Sequence, residues 1–309
     1  MATEILISEV GPRDGLQSIS RVMPLAAKCA WIDAEHAAGV REIEVGSFVS
    51  PQLLPQMADT AAVVEHALTL SGLTVAVLVP NLRGAQAAVR SGAHKITIPF
   101  SASETHSLKN VRRTHAQMFE ETRQIIALVR ELAPERRPRF EAGISTAFGC
   151  TYEGAVAADQ VVRLSTQLIE IGCDTVGLAD SVGYANPQQI KSLVRSVTAA
   201  IGRERFAGLH LHNTRGLGLA NVVAGLELGV DSFDSSLAGL GGCPFAPGAT
   251  GNIVTEDLVF MLEAMGCSTG IDLQRLLEVR ELLARALPGE ELHGYLPAAG
   301  VPLGFHPHS

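Results

Sequence analysis

Short β-rich runs alternate with helical patterns along almost the whole chain, and this alternation limits the fold more than any other feature. Runs of apolar and β-branched residues predict eight strands. The strands cover residues 5–10, 42–46, 73–79, 95–100, 140–148, 175–180, 208–213 and 232–238. Between them, apolar residues recur every three or four positions, which is the helical period. Strands that alternate with helices indicate parallel βαβ units.

Eight such units favour a closed (β/α)8 TIM barrel, an α/β fold, over an open doubly wound sheet. No G-x-G-x-x-G follows the first strand, which weakens the dinucleotide-binding alternative. Glycine ends several helical stretches, as in "AAG", "RSG", "EIG" and "ELG". We expect a single catalytic domain over residues 1–309, with the barrel at about 4–265 and a C-terminal helical extension at about 270–309.

Composition excludes several classes of partner. The net charge of -8 argues against nucleic-acid binding, which needs basic patches. No apolar run approaches about 18 residues, so we expect no membrane span, and the N-terminus leaves no room for a signal peptide.

The five cysteines form no CxxC pair, so the pattern suggests neither a disulfide framework nor a thiolate zinc site. A cytoplasmic location is the simplest expectation.

Reactive residues follow the predicted strands at the end where TIM barrels place their active sites. These residues are Arg13 and Asp14 after strand one, Glu44 in strand two, Asp180 in strand six, His210 and His212 in strand seven, and Cys243 and Asn252 after strand eight. We therefore expect them to gather at the carboxyl-terminal mouth of the barrel.

The His-Leu-His sequence is the sharpest of these signals. Residues two apart on a strand share a face, so both imidazoles point into the barrel and form half of a metal site. Two hydrogen-bonded core histidines are the alternative. Strand eight lies between strands one and seven, which lets Asp14 and Asn252 approach His210 and His212. Imidazoles with oxygen donors suit Mg²⁺ or Mn²⁺ better than Zn²⁺.

Three further residues have two readings each. Glu44 and Asp180 either cap the following segment or position ligands and substrate in the site. Cys243 lies in the glycine-rich stretch "GLGGCPFAPGATG". It is either a small hydrophobic residue or a thiol that transfers protons from a loop over the mouth.

The joint pattern resembles one family. Its motifs are "EVGPRDGLQ", "GSFVSPQLLPQM", "GCTYEG", "LADSVGYANP", the HxH strand and "AGLGGCPFAPGATGNIVTEDLVFMLE". In this order they resemble the 3-hydroxy-3-methylglutaryl-CoA lyases, which are TIM barrels of the DRE-TIM metallolyase superfamily. The resemblance runs over roughly residues 4–286. It implies cleavage of this acyl-CoA thioester into acetyl-CoA and acetoacetate, as in leucine degradation, and a homodimer.

The resemblance also implies a role for each candidate residue. The residues that match the family's metal ligands are Asp14, His210, His212 and Asn252. Arg13 matches the catalytic arginine, Cys243 the cysteine of the active-site loop, and Glu44 and Asp180 the other active-site acids. Asp14, already at the metal, is in addition a candidate base for the C3 hydroxyl.

Two stretches depart from the family pattern. The HxH pair is usually followed by Asp-Thr-Tyr-Gly, whereas this chain has "HNTRG", with Asn213 and Arg215. The stretch "GISTAFGCTYEG" differs from the usual "SCxxGCPYEG". The predicted metal ligands are unaffected, so the departures bear on the acyl group more than on the reaction type.

Three alternatives remain open. The nearest is a lyase for a related 3-hydroxyacyl-CoA, such as citramalyl-CoA or a longer branched homologue. The second is a condensing acyltransferase of the isopropylmalate or homocitrate synthase type, although the chain carries no appended regulatory-size domain. The third is a barrel that has lost catalysis and serves as an assembly subunit, but no central residue is missing.

Overall fold

A closed barrel of eight parallel strands forms the centre of the computed structural model, which describes residues 3–241 and 251–305. The strands are β1 Leu6–Glu9, β2 Glu42–Ser47, β3 Thr74–Leu78, β4 Lys95–Ser101, β5 Arg139–Ser145, β6 Thr175–Asp180, β7 Phe206–Leu211 and β8 Ser232–Ser235. Neighbours in sequence are neighbours in the barrel, and β8 closes it against β1 by pairing Leu6 with Ser232. The TIM barrel expected from the alternation is confirmed.

Helices connect the strands and cover the barrel. They are α1 Leu25–Ala38, α2 Thr60–Ala67, α3 Leu82–Ser91, α4 His115–Arg130, α5 Ala158–Ile171, α6 Pro187–Ile201, α7 Gly218–Leu226, α8 Thr255–Ala264 and the additional C-terminal α9 Leu273–Ala286. Shorter helices lie at Leu16–Ser18, Glu104–Asn110 and Leu296–Ala299, and a two-stranded pair joins Thr3–Glu4 to Cys267–Ser268. Among the described residues, no helix is long and apolar enough to cross a membrane.

Local sequence signals explain where several helices begin and end. Asn186 is the N-cap residue of α6, and it forms a reciprocal capping box with Gln189. Pro187 occupies the first position of the helix. Glycines expected to stop helices do so at Gly39, Gly92 and Gly172, all with positive φ.

The two faces of each strand differ in chemistry. On β4, Ile96, Ile98 and Phe100 are buried in the apolar layer beneath the helices. Lys95 lies on the opposite face, and its Nζ is 2.9 Å from Glu42 of β2 and 3.0 Å from Glu141 of β5. Because β2 and β4 are not adjacent, this contact crosses the barrel interior. The interior therefore carries charged groups, where TIM barrels usually pack branched apolar side chains.

Strand boundaries differ from the prediction at two functional ends. The apolar run in 140–148 predicted a long fifth strand, but β5 ends at Ser145 because Thr146 turns the chain with φ of 56°. The seventh strand ends at Leu211, one residue before His212, which instead forms an isolated antiparallel bridge with Asn252. This bridge joins the end of β7 to the segment that precedes α8.

Candidate active site and metal centre

A tight turn of π-helical form at Gly11–Gly15 carries Arg13 and Asp14 directly after β1. The carbonyl of Val10 accepts from the amides of Arg13 and Asp14, which holds the turn against the strand end. Gly11 is required for close packing, since a Cβ there would lie 2.6 Å from Oε1 of Glu9 and 2.8 Å from the ring of Trp31. The turn thus aims both functional side chains at the barrel mouth.

Arg13 forms a largely buried pair of salt bridges. Its Nη1 is 2.5 Å from Oδ1 of Asp14, and its Nε is 2.5 Å from Oε2 of Glu44 on β2. Burial disfavours the charged guanidinium, but the two neighbouring carboxylates outweigh it and raise the pKa of Arg13. The three expected residues are therefore together, and Arg13 and Asp14 are an internal ion pair rather than a surface one.

The two histidines and Asp14 form a compact cluster. The Nε2 atoms of His210 and His212 are 3.1 Å apart, and Nε2 of His210 is 4.0 Å from Oδ2 of Asp14. One ligand atom from each of the three residues lies within 4.8 Å of the others. Asn252 completes the arrangement by donating through Nδ2 to Oδ2 of Asp14 at 2.8 Å.

The polar atoms of this cluster fit a divalent cation. Adjacent octahedral ligands at about 2.0–2.2 Å from an ion are separated by about 3 Å, close to the spacing of the two imidazole nitrogens. Oδ1 of Asn252 and Nδ1 of His212 are buried without a hydrogen-bond partner. A flip of the Asn252 amide would turn an oxygen toward Asp14 and the imidazoles. The residues present therefore suit a metal bound by nitrogen and oxygen donors.

Asp234 orients one of the histidines. It is the register partner of His210 on the adjacent strand, and its Oδ2 is 3.1 Å from Nδ1 of His210. A proton held on Nδ1 by this carboxylate leaves the Nε2 lone pair facing Asp14 and His212. Asp234 was not among the site residues predicted from the sequence. Its signal is an acid on β8 in "SFDSS", on the strand that the barrel closure places beside the His-Leu-His strand.

The cluster separates the protonation states of its members. Burial alone would raise the pKa of Asp14, but Arg13 and the two histidines lower it to about 2. Burial, followed by repulsion from His210, lowers the pKa of His212 to about 4. For His210 burial acts downward, yet Asp234 and Asp14 raise its pKa. At neutral pH the site holds an ionised carboxylate and a neutral imidazole, which are the ligand forms a cation needs.

Asp180 lies at the mouth but outside this cluster. Its carboxylate accepts from the backbone amides of Tyr184 at 2.8 Å and Ala185 at 3.0 Å. Burial raises its pKa despite these bonds. The carboxylate thus holds the loop after β6, which is the capping geometry that the sequence left as one of two readings.

Two features frame the mouth near strand eight. Cys243 lies outside the described residues. The described ends on either side of it, Gly241 and Gly251, approach so closely that a Cβ on Gly251 would lie 2.4 Å from the carbonyl carbon of Gly241. A Cβ on Gly241 would meet Nδ2 of Asn252 at 2.6 Å. Only glycine allows the two segments to meet directly against a candidate metal ligand.

Arg215, the cation that departs from the family pattern, links two loops of the mouth. Its guanidinium lies 4.6 Å from the ring centre of Tyr184, and its Nη1 donates to the carbonyls of Val182 and Gly183. Its charge also lowers the pKa of Asp180 as one of the weaker influences. Arg215 thereby braces the loop after β6 against the loop after β7.

The closed barrel and the Asp14, His210 and His212 cluster define the class, a TIM-barrel protein with a site suited to a divalent metal. The HMGL-like family model matches residues 4–283. The chain belongs to this family, that of the hydroxymethylglutaryl-CoA lyases, and is a carbon–carbon lyase.

Individual relatives match over nearly their whole length. Hydroxymethylglutaryl-CoA lyase of Bacillus subtilis (strain 168) is 39% identical, with 94% of this chain and 96% of that protein covered. The 3-hydroxy-3-isohexenylglutaryl-CoA/hydroxymethylglutaryl-CoA lyase of Pseudomonas aeruginosa is 38% identical over 92% of this chain and 93% of its own. The HMG-CoA lyase of Acinetobacter baumannii, solved with coenzyme A and 3-methylmalate, has a TM-score of 0.91 and 40% identity, covering 98% of this chain and 97% of that one.

Proposed function

We propose that the protein is a divalent-metal-dependent lyase that cleaves 3-hydroxy-3-methylglutaryl-CoA to acetyl-CoA and acetoacetate by a retro-Claisen reaction. The observation that carries this proposal is the cluster of Asp14, His210 and His212 beside the guanidinium of Arg13. The reaction needs a cation for the substrate's oxygens and a fixed positive charge for the departing enolate. Relatives named for this activity support the same substrate.

Four residues would hold the metal. They are Asp14, His210, His212 and Asn252, and their nitrogen and oxygen donors without thiolate favour Mg²⁺ or Mn²⁺. A cation held there would supply Lewis acidity to the substrate's oxygens and would lower the pKa of the C3 hydroxyl. Asp234 keeps the His210 ring in the ligand orientation through Nδ1.

Arg13 stabilises the enolate. Its Nε and Nη1 are engaged by Glu44 and Asp14, which fixes the plane of the guanidinium and leaves Nη2 to donate to the thioester oxygen. Because arginine remains protonated, it binds the negative oxygen but does not serve as an acid. The folded protein already holds this charge in position, so the guanidinium needs no rearrangement during the reaction.

Protons move at both ends of the bond that breaks. Removal of the hydroxyl proton lets the C3 carbonyl form as the C2–C3 bond breaks, and its electrons pass to the thioester enolate. The pKa of about 2 makes Asp14 a good ligand and a weak base. Burial raises the pKa of Glu44, so its carboxylate is the better candidate to accept the hydroxyl proton.

The remaining two assignments follow from the family resemblance. Cys243 would deliver a proton to C2 of the enolate and complete acetyl-CoA. Asp180 would position the mouth by holding the loop that bears Tyr184, since both of its oxygens accept from backbone amides. Neither role needs a second cofactor.

A related acyl group is the second candidate substrate. Arg215 and Asn213 replace the family's usual tyrosine and aspartate beside His212, and the guanidinium lies at the mouth. The Pseudomonas aeruginosa relative is named for both the isohexenyl and the methyl substrate. These observations favour a lyase that accepts a larger or more polar branch at C3.

A panel of thioesters tests the proposal. The purified protein is stripped with a chelator, reloaded with Mg²⁺ or Mn²⁺, and incubated with the methylglutaryl, isohexenylglutaryl and citramalyl thioesters. We expect acetyl-CoA release from the methylglutaryl substrate, loss of activity after chelation and recovery with added metal. Release of acetyl-CoA from only one of the other thioesters would identify that thioester, and not the methylglutaryl one, as the substrate. Free CoA formed from acetyl-CoA and a 2-oxo acid would instead indicate a condensing enzyme.

The proposal extends to the protein's partner and location. An acyl-CoA thioester is the partner, in keeping with the coenzyme A held by the Acinetobacter baumannii relative. Cys29, Cys150, Cys173 and Cys267 are free thiols, which suits a reducing cytoplasm. The homodimer and the single catalytic domain remain predictions, and size-exclusion chromatography with light scattering would test the first.

A further inference from the structure

Glu9, the last residue of β1, has a fully buried side chain that does not belong to the metal cluster. Its Oε1 lies near the ring of Trp31 of α1, because a Cβ added to Gly11 would be in close contact with both groups. The side chain therefore faces the layer between barrel and helices, while Arg13 and Asp14 project into the mouth. A buried carboxylate in such a place needs a full set of partners.

The carboxylate of Glu9 accepts from three separate chain segments. Oε1 accepts from the amide of Gly11 at 2.8 Å and from that of Leu237 at 2.9 Å. Oε2 accepts from Oγ1 of Thr255 at 2.6 Å and from the same Leu237 amide at 3.1 Å. All of these groups are donors, and the two oxygens of the Glu9 carboxyl group accept from every one of them.

Each of the three segments leads to the metal cluster. Gly11 opens the turn that carries Asp14. Leu237 begins the short helix Leu237–Gly239, after which Leu240 packs against Gly15 and accepts from Nδ2 of Asn252 through its carbonyl. Thr255 lies three residues after Asn252. One carboxylate thus joins the chain on both sides of the contact between Asp14 and Asn252.

We propose that Glu9 is a positioning residue of the active site, which sets the separation of Asp14 and Asn252 by holding together the three segments that bear or support them. The inference rests on the proposed role of these two residues as metal ligands. Glu9 touches neither metal nor substrate, so its effect on the reaction is indirect. Replacing one of its acceptor oxygens lets the segments from β1 and β8 shift relative to each other.

Glu35 supplies a matched comparison. It is buried behind the same strand, and its Oε1 accepts from Nε1 of Trp31 at 2.6 Å. Its other oxygen has no hydrogen-bond partner, and no bond joins it to the turn after β1, to Leu237 or to Thr255. Glu35→Gln therefore perturbs the same layer without releasing a segment of the site.

The test compares Glu9→Gln with Glu35→Gln. In the first variant an amide nitrogen replaces one acceptor and opposes the donors of Leu237 and Thr255. We expect Glu9→Gln to weaken Mn²⁺ binding, measured by calorimetry without substrate, about 10–100-fold, and kcat at saturating metal to fall by a similar factor. KM and the secondary structure should change little. Glu35→Gln should keep the affinity and kcat of the unmodified protein.

Equal Mn²⁺ affinity and kcat in both variants would overturn the proposal, even if Glu9→Gln melts at a lower temperature. If Glu9→Gln does not fold, Thr255→Val breaks one of the same contacts while preserving shape, and Glu9→Asp keeps a carboxyl group on a shorter side chain that cannot reach all of the donors. Both should then bind Mn²⁺ less tightly than Glu35→Gln. Because Mn²⁺ binding is measured without thioester, failure of the substrate assignment leaves this result readable.

Discussion

A partly buried carboxyl group, Asp14, and a fully buried one, Glu35, lie on opposite sides of β1, and their pKa values shift in opposite directions. Asp14, in the mouth, lies beside Arg13 and the two histidines, and its pKa falls to about 2. Glu35, behind the strand, has Trp31 as its hydrogen-bond donor, and burial followed by the neighbouring acid Glu9 raises its pKa well above the ordinary value. Burial acts in the same direction on both. The neighbouring charges decide which carboxyl group is ionised.

The difference in pKa matches the different positions of the two carboxyl groups. In the mouth, cations keep Asp14 ionised and ready to bind a metal. Behind the strand, no cation contacts Glu35 among the described ion pairs, and the proton that its raised pKa retains lets it stay buried. The two regions share β1, and Glu9 and the turn that follows it connect them.

The largest effect is expected on the mouth side, from Arg13→Gln. Removing one oxyanion-stabilising donor costs about 10²–10³-fold in turnover, and loss of the pairing with Glu44 adds to this. Metal binding should persist, because Asp14 keeps its carboxylate. The measurements are kcat with the methylglutaryl thioester and Mn²⁺ affinity by calorimetry.

Arg203→Gln is the control for this prediction. Arg203 precedes β7, at the opposite end of the barrel, and its guanidinium binds the carbonyl of Gly229 and the carboxylate of Asp231. Its loss should leave turnover unchanged. Near-normal turnover in Arg13→Gln would contradict the proposed role of Arg13 and leave the mouth without its enolate stabiliser.

A smaller effect is expected for Asp234→Asn, which tests how the mouth orients its ligands. The amide no longer fixes the proton on Nδ1 of His210, so the Nε2 lone pair is presented less often. Mn²⁺ affinity should fall about 10–100-fold. Asp231→Asn, at a surface ion pair on the same chain segment, is the matched control. Equal affinities in the two variants would remove Asp234 from the site.

The smallest effect on the reaction is expected behind the strand, where the expected change is in the pH dependence of stability. The raised pKa of Glu35 means that the folded protein keeps a proton which the unfolded chain releases above about 4.5. Stability is therefore lost as pH rises from 4.5 toward the folded pKa. The contribution is about 1.4 kcal/mol per pH unit for one proton. Glu35→Gln should remove this slope. The melting temperature of the variant, relative to that of the unmodified protein, should therefore increase between pH 5 and pH 7.

Thermal melts at several pH values measure this slope, with exposed Glu131→Gln as control. The pKa of Glu9, raised by burial to about 8, and that of Glu256, also raised by burial, add slopes of the same sign that both variants retain. Parallel pH curves for Glu35→Gln and the unmodified protein would show that Glu35 is ionised in both states, and the contrast with Asp14 would fail.

Much of the fold and half of the site chemistry follow from local patterns. Strand and helix periods predicted eight βα units, and glycines such as Gly39 and Gly172 marked helix ends. His210 and His212 were predicted to share a face because a strand repeats every two residues. The end of β5 was misjudged, since the apolar residues of 146–148 continue the strand pattern while Thr146 adopts positive φ.

Contacts between distant segments were not predictable in the same way. Asp234 and Glu9 look like ordinary acids within strand patterns, and their roles depend on which strands meet. The pairing of β8 with β7 places Asp234 opposite His210, and the closure of β8 on β1 brings Leu237 to Glu9. The pairing of Arg13 with Glu44 likewise needed the register of two strands.

By itself, the sequence determined the barrel class, the residue types available for a metal and an enolate, and the family to which the chain belongs. These follow from periodicity and motif order, which act over a few residues at a time. Only the tertiary structure decided which carboxyl groups are ionised and which hold the backbone. That outcome depends on charges and donors brought from segments more than two hundred residues apart, as Asn252 is brought to Asp14.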